Sequence, residues 1–418
     1  MQPRLRKLAS VLLGITASAV IFGAPHGALA ANCPIKLGGI APLSAPGSVT
    51  GGEAQREAIK IAVEEINAKG GVLGCKIELV IGDTEGLPEK GTALFEKLIS
   101  QDNVVAIAGG YHSSVGMAAK EVAHDKGIPV IFASTWNDQI TSSKLPEVFR
   151  VAPLSSEASA IYWKFIAKIP NVKNVAIVTE NTDYGIPAAE EAKKGLESIN
   201  MSATTYAVDI GNQDFASIVL RVKAQKPDAI LTLLTGEASL NFEQQAAENG
   251  MGPGDVPFIC DIIAAESNSF WKNVPDGNYC FVGQFGLPEA LYNDAAKAFA
   301  KKYKERTGKD SVESYAVEAY DAIGVLATAI EKAGSTDPKA IIAALESVEH
   351  NGALGKVSFP YGTSKDPSAE GKDAKWWHQY LDPALMIFQY QEVNQKAGDA
   401  PIVFPDSYKT GEAVFVNK

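Results

Sequence analysis

The chain has 418 residues, 46% of them hydrophobic and 21% charged, with 38 basic against 49 acidic residues and a net charge of −11. That composition supports large buried cores and excludes a disordered chain, and the acidic balance argues against a nucleic-acid or anionic-membrane binder, which concentrates Lys and Arg. Four Cys and five His leave little material for a metal protein, and at roughly 150 residues per domain the length suggests two or three domains.

The first thirty residues read as an export address. Arg4, Arg6 and Lys7 precede an apolar run over 8–23, and Ala28-Leu29-Ala30 is an A-x-A cleavage signal, so cleavage is expected after Ala30. Sixteen apolar residues are short for a membrane span. No Arg-Arg pair indicates twin-arginine export, and Asn32 stands where a lipobox before Cys33 wants a small residue. No later segment approaches a transmembrane helix, so a mature, periplasmic chain of 388 residues is expected. Without Arg4, Arg6 and Lys7 it carries 35 basic against 49 acidic residues, a net −14.

An exported chain meets oxidising conditions, and four Cys allow three pairings. Cys33 and Cys75 each open a strand-like run, Cys260 ends one and Cys280 opens Phe-Val-Gly. Adjacent parallel strands starting at one level would join Cys33 to Cys75, leaving Cys260 with Cys280. Free buried thiols are the alternative.

In chain order, 35–40 reads as a strand and is followed by a Gly/Pro/Ser loop over 42–52. A helix with Ala54, Ala58, Ile61, Ala62 and Ile66 on one face is stopped by Gly70-Gly71. Then come strand 76–82, a helix opened by Pro88 and running to about 100, strand 104–108, helix 113–126 and strand 129–133. After strand 148–151 a second series begins: helix 157–169, strand 175–179, a helix after Tyr184-Gly185, strand 204–208, helix 215–224, strand 229–234, helix 238–249 and strand 257–259. Short apolar β-branched strands alternating with helices indicate parallel sheets covered on both faces. Helices 288–306, 313–332 and 338–347 then follow with little strand between them. The tail reads as a short strand at 355–359, a polar loop over 363–375 and terminal strands at 385–393 and 402–404.

Catalytic motifs are missing. There is no Gly-x-Ser-x-Gly elbow, P-loop, His-Glu-x-x-His or Gly-x-Gly-x-x-Gly after a strand. His112, His124, His350 and His378 are well separated. His112 beside Ser113 and Ser114 suggests a base and nucleophile, but sequence neighbours rarely face each other usefully, and a loop histidine is the plainer reading. Glu64-Glu65 and Glu190-Glu191 read as solvated helix faces. No enzyme activity, cofactor or metal is expected.

The informative features are loops at the C-terminal ends of the strands, where open α/β sheets bind ligands: 39–47, 108–114 (Ala-Gly-Gly-Tyr-His-Ser-Ser), 127–135, 181–185 (Asn-Thr-Asp-Tyr-Gly) and 214–217 with Lys226-Pro227-Asp228-Ala229. In this order, over roughly 35–393, they resemble the leucine/isoleucine/valine-binding family of periplasmic solute-binding proteins of ABC importers. The resemblance implies an α/β type I periplasmic-binding (venus-flytrap) fold. Two doubly wound Rossmann-like lobes, 31–153 plus 285–370 and 154–284 plus 371–418, would be joined by three crossover segments near 152–155, 283–287 and 366–375. Ligand between the lobes would favour their closed arrangement, to be read by a membrane permease.

Carried over by position, the resemblance implies that Ser113, with Ser114 beside it, receives the ligand carboxylate at the start of a helix, where a hydroxyl and free N–H groups suit an anion. Ser113 acting only as an N-cap is the alternative. Ser134 and Trp136 match groups after the fourth strand, Tyr184 a family Tyr that closes over the ligand, and Thr235, Gly236 and Glu237 a second-lobe loop. Trp136 and Tyr184 could instead pack locally, and Glu237 could favour its own helix. Where amino-acid binders carry an acidic partner for the ligand ammonium, this chain has Ile262, with Asp261 one position earlier. Asp261 serves the ammonium or caps the next segment. If Asp261 and Glu237 both point away, the ligand is an amine-free carboxylate, because a buried unpaired ammonium is costly. Tyr111, Phe132, Trp136 and Tyr184 near the loops suit an aromatic acid as well as a leucine-like side chain. The expected partners are therefore a branched-chain or related amino acid and a permease, with the protein a monomer and no nucleic acid bound. An aromatic acid binder, an amide or urea binder or sensor of the same fold, and a secreted α/β hydrolase are the competing readings.

Overall fold

The computed structural model describes residues 33–266, 270–381 and 383–415. The expected signal peptide, with Arg4, Arg6, Lys7 and the Ala28–Ala30 site, lies outside the described residues. Chain order begins with β1 (Ile35–Ala41), α1 (Val49–Ala68), β2 (Ile77–Asp83), α2 (Pro88–Ser100), β3 (Ala106–Gly109), α3 (Ser113–Lys126), β4 (Val130–Phe132) and β5 (Val148–Arg150). It continues with α4 (Ser155–Ile166), β6 (Asn174–Glu180), α5 (Gly185–Ser198), β7 (Ser202–Val208), α6 (Ala216–Gln225), β8 (Ala229–Leu233), α7 (Glu237–Glu248), β9 (Phe258–Cys260) and β10 (Phe281–Phe285). Then follow α8 (Asp294–Thr307), α9 (Ser314–Ala333), α10 (Pro338–Leu345), the hairpin β11 (His350–Gly352) and β12 (Gly355–Val357), β13 (Leu385–Gln389) and β14 (Ile402–Phe404). Only helices of eight or more residues carry labels.

Apart from the separate β11–β12 hairpin, the described strands form two sheets. The first is parallel, in the order β2-β1-β3-β4-β5. Its period-two side chains divide between two cores, as a parallel sheet covered on both faces requires. Leu37, Ala106, Ile131 and Phe149 face α1, α8, α9 and α10. Ile107, Val130, Phe132 and Val148 face α2 and α3. The second sheet runs β14-β13-β10-β9-β8-β6-β7. It is parallel from β6 through β10 and ends in antiparallel β13 and β14. Phe165, Ala192 and Leu196 cover one face, and Val219, Phe242 and Ala246 the other.

Both disulfides tie neighbouring parallel strands. Cys33 and Cys75 each lie two residues ahead of the register pair Ile35↔Ile77 and are bonded with Cα atoms 5.2 Å apart. Cys260 pairs with Val282 in register and is bonded to Cys280, with Cα atoms 5.8 Å apart. β1 and β2 thus start at one level, which brings Cys33 and Cys75 together.

Three expectations are corrected. The helix expected over 288–306 begins only at Asp294, because the Asn293 side chain accepts from the Ala296 N–H and a 3-10 turn, Glu289–Leu291, precedes it. Phe281–Phe285 is a strand, so the expected crossing at 283–287 begins inside the second sheet. Gly283 sits mid-strand because the Tyr162 ring occupies the place of a β-carbon. The third crossing, expected over 366–375, falls later. Lys144 pairs with Asp366 at 2.6 Å and the Thr141 hydroxyl donates to the Lys375 carbonyl at 2.6 Å. The Arg150 N–H donates to the His378 carbonyl and the Tyr380 N–H to the Arg150 carbonyl, both at 3.0 Å. Residues up to Tyr380 thus extend the edge of the first sheet, and the chain reaches the second sheet only at Leu385.

Candidate functional site

The C-terminal ends of the two sheets meet across a narrow cavity of about 30 Å³, far below the ~300 Å³ at which ligand pockets begin. Tyr111, His112, Ser113, Ser134, Trp136 and Tyr315 form its first wall, and Glu180, Tyr184, Leu234, Thr235 and Asp261 its second.

The first wall presents hydrogen-bond donors. Ser113 is the first residue of α3, and His112 holds the cap position without a side-chain cap bond, so Ser113 is not the helix's own cap. Its hydroxyl oxygen accepts the Trp136 and Asn137 N–H groups, each at 3.1 Å. The hydroxyl hydrogen is left to donate, beside the first α3 N–H groups, which have no intrahelical partner. Arg150 holds this loop from behind. Fully buried, it donates to Thr135 O (3.1 Å), Asn137 O (2.6 Å), Thr141 Oγ1 (3.1 Å) and Gln379 Oε1 (2.6 Å), while burial pushes its pKa down to about 10. Ser134 lines the cavity, but its hydroxyl is committed within the protein. It accepts from Gln55 Nε2 at 2.9 Å and donates at 2.5 Å to Glu318, whose carboxyl is raised well above its ordinary range by burial.

The second wall presents carboxylates. Glu180 ends β6 and accepts from the Thr182 and Thr235 hydroxyls, both at 2.7 Å. Burial raises its pKa against those two bonds. Asp261 follows β9 and accepts from the Ser239 hydroxyl at 3.2 Å, while its N–H donates at 2.8 Å to the buried Glu243. Five rings connect the walls. Tyr111 lies 4.7 Å from Tyr315, Tyr315 4.9 Å from Phe285, Phe285 4.6 Å from Trp136 and Trp136 6.0 Å from Tyr184.

Of the expected site residues, Ser113, Ser134, Trp136, Tyr184, Thr235 and Asp261 line the cavity. Ser114, Gly236 and Glu237 lie where the two walls touch. Ser114 Oγ accepts the Asp183 N–H at 3.0 Å, and Glu237 accepts the Thr50 N–H and hydroxyl at 3.2 and 3.0 Å. A β-carbon on Gly236 would lie 2.8 Å from Ser48. Phe132 does not reach the site; it is buried behind the sheet against Phe95. His112 is no ordinary loop histidine. It is buried, and burial lowers its pKa to about 4. Its Nε2 accepts the Ser48 N–H at 3.4 Å, and its Nδ1 has no partner among the described residues, so no Ser–His bond activates Ser113. Glu180, Leu234 and Tyr315 went unread in the sequence. Glu180 carried the usable signal, closing the strand before the Asn181–Gly185 loop. Tyr315 lies two hundred residues from the loop it meets and carried none.

The sequence model of the periplasmic binding protein family matches residues 34–366. The chain belongs to that family, one of substrate-binding proteins and not of enzymes. It is 28% identical over 400 residues to a Leu/Ile/Val-binding protein homolog of Brucella abortus, covering 92% of this chain and 95% of that one. A branched-chain amino acid transporter substrate-binding protein of Streptococcus pneumoniae, solved with isoleucine, shares the fold (TM-score 0.71, 22% identity, 89% of this chain and 99% of that one). So does an ABC-transporter solute-binding protein of R. palustris solved with benzoate (TM-score 0.74, 21% identity, 92% and 99%). Type I periplasmic-binding architecture is the fold of this chain.

Proposed function

We propose that this periplasmic binding protein captures a branched-chain or related amino acid between its two lobes and delivers it to the membrane permease of an ABC importer. It works as an exported, periplasmic monomer. Asp261 carries this reading. The carboxylate stands on the wall opposite Ser113 and the α3 N-terminus, so one wall suits an α-carboxylate and the other an α-ammonium. The Brucella and Streptococcus proteins, named for or solved with branched-chain amino acids, support it. The rings of Tyr111, Trp136, Tyr184 and Tyr315 favour a second reading, an aromatic acid without an amine, as in the R. palustris benzoate complex.

Thermal shift and calorimetry separate the two readings. At a hundredfold excess over Kd a ligand stabilises the folded state by about 2.7 kcal/mol. Leucine, isoleucine, valine or phenylalanine should raise Tm above the shift produced by benzoate. Stabilisation by benzoate alone selects the second reading. Stabilisation by amides or sugars alone overturns both.

A further inference from the structure

The cavity wall contains a side chain whose two ends face different tasks. His112 lines the cavity next to Ser113 and is 5% exposed. Its Nε2 accepts the Ser48 N–H at 3.4 Å. A neutral imidazole that accepts at Nε2 carries its proton on Nδ1, and that buried Nδ1 has no hydrogen-bond partner among the described residues. The Nε2–Cδ2 edge is packed on Gly86, whose β-carbon would lie 3.1 and 3.2 Å from those atoms. The Nδ1 edge lies on the side of the ring away from that contact.

Ser48 in turn belongs to the lip between β1 and α1. It caps α1, accepting the Gly51 N–H at 3.2 Å, and it rests on the second lobe at Gly236, which holds a positive φ of 58°. A β-carbon there would sit 2.8 Å from the Ser48 Cα and Cβ. Two residues on, Thr50 donates to Glu237. One imidazole thus connects the anion end of the cavity to the place where the lobes meet.

We infer that His112 couples ligand to closure: its Nδ1–H donates to the ligand carboxylate while its Nε2 holds the Ser48 lip against Gly236 of the second lobe. The inference rests on the carboxylate reading above. An empty closed cavity leaves the Nδ1–H buried and unmet, which opposes closing. A carboxylate oxygen removes that opposition, so the ligand shifts the population toward the closed state through this residue. His112 is a positioning and specificity residue alongside the Ser113 anion site.

Two variants and one spectrum test this. In the ligand-free full mature chain at pH 7, long-range ¹H–¹⁵N spectra should show His112 neutral with its proton on Nδ1. A proton on Nε2, or a charged ring, overturns the inference whatever the ligand. His112→Gln keeps an acceptor near the Nε2 position and removes the donor. It should weaken L-leucine binding about tenfold, the loss of one hydrogen bond to a charged group, yet reach the wild-type radius of gyration by small-angle scattering once saturated. His112→Asn keeps a donor near the Nδ1 position and removes the Ser48 acceptor. It should bind L-leucine within about threefold of wild type and remain more open at saturation. Equal losses in both variants, or identical scattering, overturn the coupling. Wild-type protein that binds neither L-leucine nor benzoate overturns the proposed function instead. The tautomer and the scattering of ligand-free His112→Asn then still decide this inference, which needs Nδ1–H and a wider lip than wild type.

Discussion

The two walls of the cleft are built to opposite electrical plans. The first wall offers donors held in place by buried polar groups. Ser113 is locked by the Trp136 and Asn137 amides, and that loop is fastened by Arg150 through two hydrogen bonds, to the Thr135 and Asn137 carbonyls. The second wall offers acceptors supported by hydroxyls, with Thr182 and Thr235 on Glu180 and Ser239 on Asp261. Neither wall alone is complementary to a zwitterion, so the proposed amino-acid ligand needs both. Rigid support on each side keeps the reorganisation on binding small, which is where affinity is otherwise lost.

The largest test breaks the first wall's support. Arg150→Met removes a buried cation and strands Gln379, Thr141 and two carbonyls, so a loss of about 3–5 kcal/mol is expected by chemical denaturation. Ligand binding should fall with it. Asp261→Asn sharpens the contrast between walls. L-leucine affinity should drop by about 1.5–3 kcal/mol, the worth of a hydrogen bond to a charged group, while benzoate binding holds. Equal losses for both ligands would mean that Asp261 does not read an ammonium.

pH gives a third test. The His112 pKa is lowered to about 4 against an ordinary 6.5. As pH falls from 6.5 toward 4, the unfolded chain binds a proton that the folded ring refuses. Stability should therefore fall across that window by up to ~1.4 kcal/mol per pH unit, and His112→Asn should flatten the slope. Asp321 acts in the opposite sense. Burial raises it to about 7 from 3.8, so its contribution is present at low pH and is lost as pH rises to 7. Only the difference between variant and wild type isolates the histidine.

Ser113→Ala should cost about 1–3 kcal/mol of stability, because two buried N–H groups lose their acceptor, besides weakening carboxylate binding. Unchanged affinity with reduced Tm would assign Ser113 to loop support alone. Glu237→Gln is the mildest change. The Thr50 bonds it weakens are exposed, so ligand affinity should move by less than about threefold.

The alternation of strand and helix through the first two hundred residues was legible because each element carries its own periodicity and stop signal. The helix at Ser113–Lys126 was read to its ends, with Gly127 and Pro129 closing it. β10 was not. Phe-Val-Gly-Gln-Phe is short, interrupted by Gly283 and followed by helical sequence, and only the Tyr162 ring explains the glycine. The late crossing after Tyr380 was hidden for a similar reason. Residues 363–380 are polar and irregular, and what holds them to the first sheet is pairing with Arg150, far away in sequence. At the site, loop position revealed Ser113, Trp136, Tyr184 and Asp261. It could not say that the Ser134 hydroxyl is spent on Gln55 and Glu318.

Local signals in this chain determine what local physics controls: the α/β alternation, the strand ends that bear the loops, and through the series of loops the family. Which face of a loop residue is free, and which is bound to its own protein, depends on partners about sixty to two hundred residues away. His112 shows the division. Its neighbours Tyr111 and Ser113 marked the loop, but its burial, its bond to Ser48 and its buried Nδ1, unpartnered among the described residues, exist only where α1, α3 and the second lobe converge.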